Sequence, residues 1–296
     1  MEIRVLKYFL MVAREENITK AAALLYITQP TLSRQLIQLE EELGVKLFQR
    51  SKHRIVLTED GMLLKRRAEE IVSLADKTER EFSQKDENLA GEIAIGSGEL
   101  QSSQFLSELM ASFQRKHSQV YYDIYSGNSD NIKDRLESGI LDIGLLVEPV
   151  DISRYEYIRL PVKEEWGALV PEDSELAVKK TVTPEDLINR PLIMTRRESL
   201  RKEIKSWFGK YSEEIETVGG GNLLYNMAAM AKSGMGIVVT SKLNCTYEGL
   251  KFIPLSPRLE LTTVLVWKRG QIFSPVASAF IEHIRKYLLG ISNDTN

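Results

Sequence analysis

Near its N-terminus the chain reads Asn17-Ile-Thr-Lys-Ala-Ala-Ala-Leu-Leu-Tyr-Ile-Thr-Gln-Pro-Thr-Leu-Ser-Arg-Gln-Leu-Ile-Gln-Leu-Glu-Glu-Glu-Leu-Gly44. This pattern predicts two short helices joined by a tight turn. Thr19 is a candidate N-cap of the first helix, because its hydroxyl can accept a hydrogen bond from a backbone N–H that the helix leaves without a partner. Thr28 can cap the second helix, and Pro30 suits its first turn, where an N–H is not needed.

The second predicted helix has one apolar and one polar face. Its leucines repeat at helical spacing: Leu32, Leu36, Leu39 and Leu43. Its opposite side, near the N-terminal end, carries Gln29, Pro30, Ser33 and Arg34. Gln and Arg make paired hydrogen bonds to adenine and guanine, and a recognition helix reads bases with its N-terminal residues. The pattern indicates a DNA-reading helix-turn-helix, although an ordinary helical hairpin with a solvated polar face remains the alternative.

A basic segment follows Gly44, which can end the second helix as a C-terminal glycine. Between Leu43 and Leu57 the chain has basic residues and no acidic ones: Lys46, Arg50, Lys52 and Arg54. Phe48 and the run Ile55-Val-Leu57 predict a short hairpin. A basic hairpin after a helix-turn-helix is typical of a wing that meets phosphates or the minor groove. The alternative is a solvated charge cluster, which the lack of acidic residues disfavours.

Residues 1–66 resemble the LysR-type transcriptional regulators. The elements that carry the resemblance are Phe9-Leu-Met-Val-Ala13, Thr19-Lys-Ala-Ala22, Thr28 to Gly44, and Leu47-Phe-Gln-Arg50. One departure is Thr28, where serine is usual. The resemblance implies a winged helix-turn-helix, a long dimerising linker helix and a C-terminal ligand-sensing domain. It also implies double-stranded operator DNA as a partner and the following DNA-binding residues: Gln29, Pro30, Thr31, Ser33, Arg34 and Gln38 on the helix, and Arg50, Lys52 and Arg54 on the wing.

Composition limits the class of protein. The chain has 296 residues, enough for two or three domains, and its net charge of −3 means that the basic charge is segregated rather than spread evenly. Its single cysteine, Cys245, excludes a disulfide within the chain and suits a reducing cytoplasm. No signal peptide is evident, and no apolar run approaches the roughly 20 residues of a membrane span. We therefore expect a cytoplasmic protein without a membrane partner.

A long helix is predicted after Gly61, because no glycine or proline occurs from there to about Glu87. Small and apolar residues repeat at alternating spacings of four and three: Leu64, Ala68, Ile71, Ala75, Thr78 and Phe82. Such a heptad pattern predicts that two copies pair into a homodimer, which could assemble further into a homotetramer. A dimer also matches the two half-sites of an operator. The alternative is a helix that lies on its own domain.

The remaining chain predicts an α/β domain. Strands are expected at 92–96, 120–125 and 141–147 with helices between them, which is typical of a parallel α/β unit. A second unit begins with 164–171, and further strands are expected at 191–195, 236–240 and 261–267. The runs 136–144 and 230–238 resemble the two-lobed effector domain of the same family, which is similar to a periplasmic binding protein. The predicted boundaries are 1–58 for the winged helix-turn-helix, 59–89 for the linker helix and 90–296 for the effector-binding domain. Lobe I would cover about 90–160 and 266–296, and lobe II about 161–265.

An effector is expected between the lobes, where strand ends meet helix N-termini. Free N–H groups at helix starts favour an anion, and Arg196 could add a cation. The predicted effector-binding residues are Gly98, Ser102, Ser103, Ser126, Gly127, Asn128, Thr195, Arg196, Gly220 and Asn222. The alternative is that the serines only cap their helices and that Arg196 is solvated.

No catalytic, metal-binding or cofactor-binding pattern is found. The three histidines, His53, His117 and His283, are far apart in the sequence and suggest neither a metal site nor a Cys/His pair. Two other classes of protein would need features that this sequence lacks. A solute-binding protein should carry a secretion signal, and an α/β enzyme should carry a nucleophile or an acid/base set. The sequence therefore favours a DNA-binding regulator, not an enzyme, that is controlled by a small-molecule effector.

Overall fold

The computed structural model describes residues 1–50, 55–83 and 89–294, and the chain divides into two compact units, residues 1–85 and 86–296. In the first unit the helices are α1 (Ile3–Glu15), α2 (Ile18–Leu24), α3 (Gln29–Leu43) and α4 (Glu59–Ser83), and the strands are β1 (Phe48–Arg50) and β2 (Ile55–Leu57). β1 and β2 pair antiparallel, so the predicted hairpin is confirmed.

Local hydrogen bonds define where α2 and α3 begin and end. Asn17 caps α2, since its Oδ1 accepts from the Lys20 N–H at 2.9 Å, and the prediction of Thr19 as the cap is wrong because Thr19 already lies inside the helix. Thr28 caps α3 as predicted, with Oγ1 accepting from the Thr31 N–H at 3.4 Å. Gly44 ends α3 in the left-handed region, at φ 70°.

The core of the first unit is built from the apolar faces of its helices. Leu32, Leu36 and Leu39 are buried there, as their spacing predicts. Leu43 is the exception: it is 40% exposed, because it lies in the last turn of α3 at the rim of this core.

One face of α4 packs on its own unit. Ala68 is fully buried in the core, and Leu64 and Val72 pack against it. The Lys7 ammonium on α1 forms an ion pair with the Asp76 carboxylate on α4, at 2.7 Å. The predicted heptad face is thus partly wrong: Leu64 and Ala68 are used within the unit, as in the alternative of a helix lying on its own domain.

A second face of α4 carries exposed apolar side chains: Leu63, Ile71 and Leu74, which we call the α4 apolar stripe. At about 100° per residue these three lie within roughly a quarter turn of one another around the helix axis. Of the residues in the predicted heptad pattern, Ile71 belongs to this stripe, and the side chain of Phe82 lies outside the described residues.

The second unit is a two-lobed α/β domain. Its helices are α5 (Ser102–Gln114), α6 (Ser129–Glu137), α7 (Pro184–Leu187), α8 (Glu198–Phe208), α9 (Leu224–Lys232) and α10 (Pro275–Asp294). Its strands are β3 (Gly91–Ser97), β4 (Val120–Ser126), β5 (Ile143–Val147), β6 (Tyr155–Pro171), β7 (Leu192–Thr195), β8 (Thr217–Gly221), β9 (Ile237–Ser241), β10 (Leu250–Pro254) and β11 (Glu260–Lys268).

These strands are connected through the long strand β6. Among the described residues the order is β4-β3-β5-β11-β6-β9-β7-β8, with β10 also pairing β6. β3 is parallel to β4 and β5, which confirms the predicted parallel α/β unit. The first part of β6 pairs β11, and its last part pairs β9 and β10. We call the half around β3, β4, β5 and β11 lobe I, and the half around β7 to β10 lobe II.

Three stretches of strand were not predicted. Residues 155–163 extend β6 into lobe I, β8 contains three consecutive glycines that weaken a strand signal, and β10 lies at the edge of lobe II. None of the helices in the described part of the chain combines the length and apolar character needed to span a bilayer.

Candidate nucleic-acid interface and inter-lobe cavity

The polar face of α3 is exposed over its whole length. The predicted DNA-binding residues Gln29, Pro30, Thr31, Arg34 and Gln38 are exposed, and Ser33 is half-buried. Because α3 is amphipathic, burial of its leucines turns these residues away from the core. The Gln29 amide donates to the Ser33 hydroxyl at 2.7 Å, which orders two of these side chains on adjacent turns. The structure therefore presents a polar helix face with hydrogen-bonding groups suited to base edges.

A buried carboxylate ties the hairpin to α3. Glu40 accepts hydrogen bonds from the Leu47 N–H at 2.8 Å, the Phe48 N–H at 3.3 Å and the Lys46 ammonium at 2.7 Å. Burial raises the pKa of Glu40, but the hydrogen bonds from Lys46, Leu47 and Phe48 outweigh it and leave this pKa below its ordinary value. Glu40 therefore stays ionised and fixes the start of the wing against the C-terminal turn of α3.

The tip of the wing cannot be compared with its prediction. Lys52 and Arg54 lie outside the described residues, and for Arg50 only the backbone, in β1, is described. Their assignment to DNA binding stays a prediction.

A cavity of about 90 Å³ lies between the lobes of the second unit. Lobe I contributes the loops before α5 and α6 and the end of β5, and lobe II contributes the loops before α8 and α9 and the end of β9. β6 crosses between the lobes and adds Glu164 and Trp166. Strand ends and helix starts thus converge here, which is where α/β domains bind ligands.

Five of the ten predicted effector-binding residues line this cavity: Gly98, Gly127, Asn128, Thr195 and Asn222. Asn128 is also the N-cap of α6, where its Oδ1 accepts from the Asn131 N–H at 2.9 Å. The Thr195 hydroxyl accepts from the Arg197 N–H at 3.3 Å.

The other five do not line the cavity: Ser102, Ser103, Ser126, Arg196 and Gly220. Ser103 donates to the Gly98 carbonyl at 3.1 Å, a local contact that differs from the helix cap considered as the alternative. Arg196 is exposed, whereas its neighbour Arg197 is buried and lines the cavity. Alternation along an extended segment sends adjacent side chains to opposite sides, so the sequence could not distinguish the two arginines.

Two acidic residues in the cavity were missed by the sequence analysis. Glu164 is fully buried, and its carboxylate accepts from the Gln101 N–H at 2.8 Å and the Ser102 N–H at 2.9 Å. Glu99 accepts from the Leu224 N–H at the start of α9. Both partners lie far away in the sequence, and we find no local signal that would have indicated either contact.

Two residues that line the cavity, Arg197 and Trp166, carry buried donors. Arg197 donates to the Val147 carbonyl at 2.8 Å and to the Pro149 carbonyl at 2.5 Å. Its Nε, and the indole Nε1 of Trp166, are buried without a hydrogen-bond partner among the described residues. Burial lowers the pKa of Arg197 and the charge of Asp130 opposes this, but a guanidinium stays protonated in either case.

Comparison with known families accounts for both units. Residues 3–62 match the bacterial regulatory helix-turn-helix protein, lysR family, and residues 86–289 match the LysR substrate binding domain. Together these matches cover most of the chain. The proteins of this family are transcriptional regulators and not enzymes.

Relatives of full length agree with this result. The chain is 28% identical to the HTH-type transcriptional regulator YybE of Bacillus subtilis, over 96% of this chain and 98% of that protein. It is 27% identical to the Hca operon transcriptional activator HcaR of Escherichia coli, over 99% of this chain and 100% of that protein. The fold is similar to that of full-length CbnR in complex with its target DNA, with a TM-score of 0.77, 21% identity, and coverage of 97% of this chain and 99% of that one. The protein belongs to the LysR family of DNA-binding transcriptional regulators.

Proposed function

We propose that the protein binds operator DNA sequence-specifically as a homodimer and that a small molecule bound between the lobes of the second unit controls it. The observation that carries this proposal is the pairing of two features in one chain. One unit presents an exposed polar face on α3, and the other has a cavity lined by residues whose buried donors lack an acceptor within the described part of the chain. The first feature suits a nucleic acid and the second a small molecule.

The DNA-binding role is assigned to residues in two places. On α3 they are Gln29, Pro30, Thr31, Ser33, Arg34 and Gln38, whose exposure supports the assignment. On the wing they are Arg50, Lys52 and Arg54, which stay assigned from the sequence. Wing cations would contact phosphates and supply affinity, while the polar face of α3 would supply discrimination between bases.

Dimerisation is assigned to the α4 apolar stripe. Leu63, Ile71 and Leu74 are exposed on a helix whose other face is already packed on its own unit. Exposed apolar side chains along one line of a long helix are stabilised by pairing with a second helix. A homodimer built in this way would bring two copies of α3 to two half-sites.

The effector role is assigned to the cavity rather than to every predicted residue. Gly98, Gly127, Asn128, Thr195 and Asn222 line it, together with Arg197, which replaces Arg196 as the proposed cationic contact. Binding to one arrangement of the lobes in preference to another would shift the population of DNA-binding states.

The test of DNA recognition is selection of bound duplexes from a random pool by the full-length protein, followed by titration of the selected duplex against random competitor. We expect a preference of about a thousandfold or more, as specific regulators show. Equal affinity for selected and random duplexes would contradict the proposal.

A further inference from the structure

Two of the helix starts at the inter-lobe cavity, those of α5 and α9, hold carboxylates of the chain itself. Glu164 from β6 accepts the N–H groups of Gln101 and Ser102, at the start of α5, through both of its carboxylate oxygens. A helix N-terminus is a ready site for an anion, because its first N–H groups lack partners within the helix. At α5 that site is occupied by Glu164, so an anionic ligand has no place there.

The same arrangement recurs across the cavity. The Glu99 carboxylate, just before α5 in lobe I, accepts the Leu224 N–H at the start of α9 in lobe II. Glu99 is only half-buried and lines the cavity, so its negative charge faces any ligand that enters. Of the four helix starts at the cavity, those of α5 and α9 therefore present negative charge to it rather than free N–H groups.

Donors without partners lie on the lobe II side. The Nε of Arg197 and the Nε1 of Trp166 are buried and have no acceptor among the described residues, although both side chains line the cavity. Arg197 is only 7% exposed and Trp166 only 4%. Buried donors without acceptors are rare and costly in a native structure. They are best explained by an acceptor that arrives with the ligand.

We propose that the cavity binds an amino acid with an apolar side chain, and that dicarboxylates and simple carboxylic acids are disfavoured. This inference rests on the proposed effector function. The ligand's carboxylate would accept from Arg197 and Trp166, and its ammonium group would be attracted by Glu99 and Glu164. Its side chain would meet the apolar part of the lining: Leu100, Leu145, Val147, Leu200, Leu224 and Met227.

The charged residues that line the cavity explain why we propose an amino acid as the class of ligand. One guanidinium and two carboxylates line the cavity, so a dicarboxylate would bring two negative charges to a site that already holds two. A carboxylic acid without an amine would satisfy Arg197 and leave both acidic residues without a cation. A zwitterion satisfies both sides without adding net charge. The cavity of about 90 Å³ also favours a small ligand, since sites for drug-sized ligands have roughly 300 Å³ or more.

The test is isothermal titration of the full-length protein with alanine, valine, leucine and phenylalanine, and with succinate and benzoate. The amino acid that binds most tightly is then compared with two analogues, one lacking the amine and one lacking the carboxylate. For valine these are 3-methylbutanoate and 2-methylpropylamine. We expect each analogue to bind about tenfold to a hundredfold more weakly, the effect of one charge-assisted hydrogen bond.

Variants of Glu99 and Arg197 test which side chains bind the ligand's ammonium and carboxylate groups. Glu99→Gln keeps an oxygen that can accept from Leu224 and removes the charge, so it should weaken the amino acid about tenfold. The amine-free analogue should bind this variant at least as tightly as it binds the native protein, because one like charge is removed. Glu198→Gln is the matched control, because Glu198 is exposed, pairs with Lys202 and does not line the cavity. Arg197→Lys retains the charge but lacks the Nε donor, and it should weaken both the amino acid and the amine-free analogue.

The outcomes separate this inference from the proposed function. Asn222→Trp and Thr195→Phe should both fill the cavity, and circular dichroism checks that each variant is folded. If succinate, benzoate or 3-methylbutanoate binds at least as tightly as the amino acids, and both filling variants abolish that binding, the cavity is an effector site and the amino-acid inference is wrong. If none of the four amino acids binds at millimolar concentration, the inference is also wrong. If an amino acid binds but its binding survives in both folded variants, the inter-lobe site itself is refuted.

Discussion

The polar face of α3 and the inter-lobe cavity differ in how the chain builds them. The α3 face comes from one continuous run between Gln29 and Gln38, whereas the cavity draws on separate segments from Gly98 to Ser241. In a helix the 3.6-residue repeat fixes which side chains share a face, so burial of three leucines exposes the others. In the cavity no such repeat connects the contributing segments, and adjacent residues such as Arg196 and Arg197 have opposite environments.

The two regions also differ in the source of their charge. The first two turns of α3 contain no acidic residue, so the partial positive charge of its N-terminus is open to a phosphate. At the cavity, Glu99 and Glu164 come from elsewhere in the chain to the starts of α9 and α5. A helix N-terminus is therefore evidence for an anion site only after its tertiary partners are known.

The largest loss of stability is expected at a close contact between α4 and the wing in the first unit. Gly61, in the first turn of α4, lies so near the wing that an added Cβ would be 2.1 Å from the Leu47 carbonyl oxygen. Gly61→Ala should lower the free energy of unfolding of the first unit by about 3 kcal/mol through this clash. Urea unfolding of the full-length protein, with operator binding as the probe of the first unit, measures it.

Gly290→Ala is the matched control for that substitution. Gly290 lies in α10, and outside its own helix no atom of the described residues lies within 4 Å of the added Cβ, so the change should stabilise its helix by about 0.5–1 kcal/mol. If Gly61→Ala unfolded at the same urea concentration as the native protein, the close contact between α4 and the wing would be refuted.

The next effect concerns the buried carboxylate of the first unit. Glu40→Gln loses the ion pair with Lys46 and one charged acceptor for the Leu47 and Phe48 N–H groups. We expect a loss of about 2 kcal/mol, measured by urea unfolding at neutral pH. Glu41→Gln, at an exposed position on the next residue of α3, is the control and should have little effect.

Measuring the free energy of unfolding at acid pH tests the same role of Glu40. The pKa of Glu40 is lower in the folded protein than its ordinary value of 4.5, so its ionised form stabilises the fold above that pH. This stabilisation is lost as the pH falls from about 4.5 through the lower folded pKa. The stability of Glu40→Gln should therefore fall less steeply than that of the native protein in this range, and parallel curves would contradict the role of Glu40.

A smaller effect is expected at the α4 apolar stripe. Ile71→Asp places a charge in the proposed dimer contact and should weaken dimerisation by about 1 kcal/mol or more, measured by analytical ultracentrifugation. Met62→Asp is the matched control, since Met62 is 57% exposed but lies about 100° around the helix from Leu63. Equal dimer dissociation constants for the two variants would exclude the stripe as the contact.

The smallest effect is expected at a single phosphate contact of the wing. Arg50→Ala should reduce the slope of log K against log salt concentration by about 0.9 and weaken all duplexes alike. Gln29→Ala should instead reduce discrimination between selected and random duplexes by about 1 kcal/mol, with the salt slope unchanged. Fluorescence anisotropy across a salt series separates the two, and a change in sequence preference for Arg50→Ala would contradict its assignment to phosphates.

The sequence by itself determined the features that depend on local geometry. Leucine spacing defined the buried face of α3, Thr28 and Gly44 marked its ends, and the parallel β3, β4 and β5 followed from alternating strands and helices. The residues quoted for the family resemblance were sufficient to identify the LysR family, which the matches over 3–62 and 86–289 confirm. These features are predictable because backbone geometry relates residues only a few positions apart.

The tertiary structure decided what depends on distant pairing. It assigned Leu64 and Ala68 to the core of the first unit instead of a free heptad face, and it placed Arg197 rather than Arg196 at the cavity. It also brought the Glu164 carboxylate to the N–H groups at the start of α5, although Glu164 lies more than sixty positions away in the sequence. Such contacts are set by how strands and helices pack in space, and the free energy of burying a charge or a side chain is defined only once its neighbours are in place.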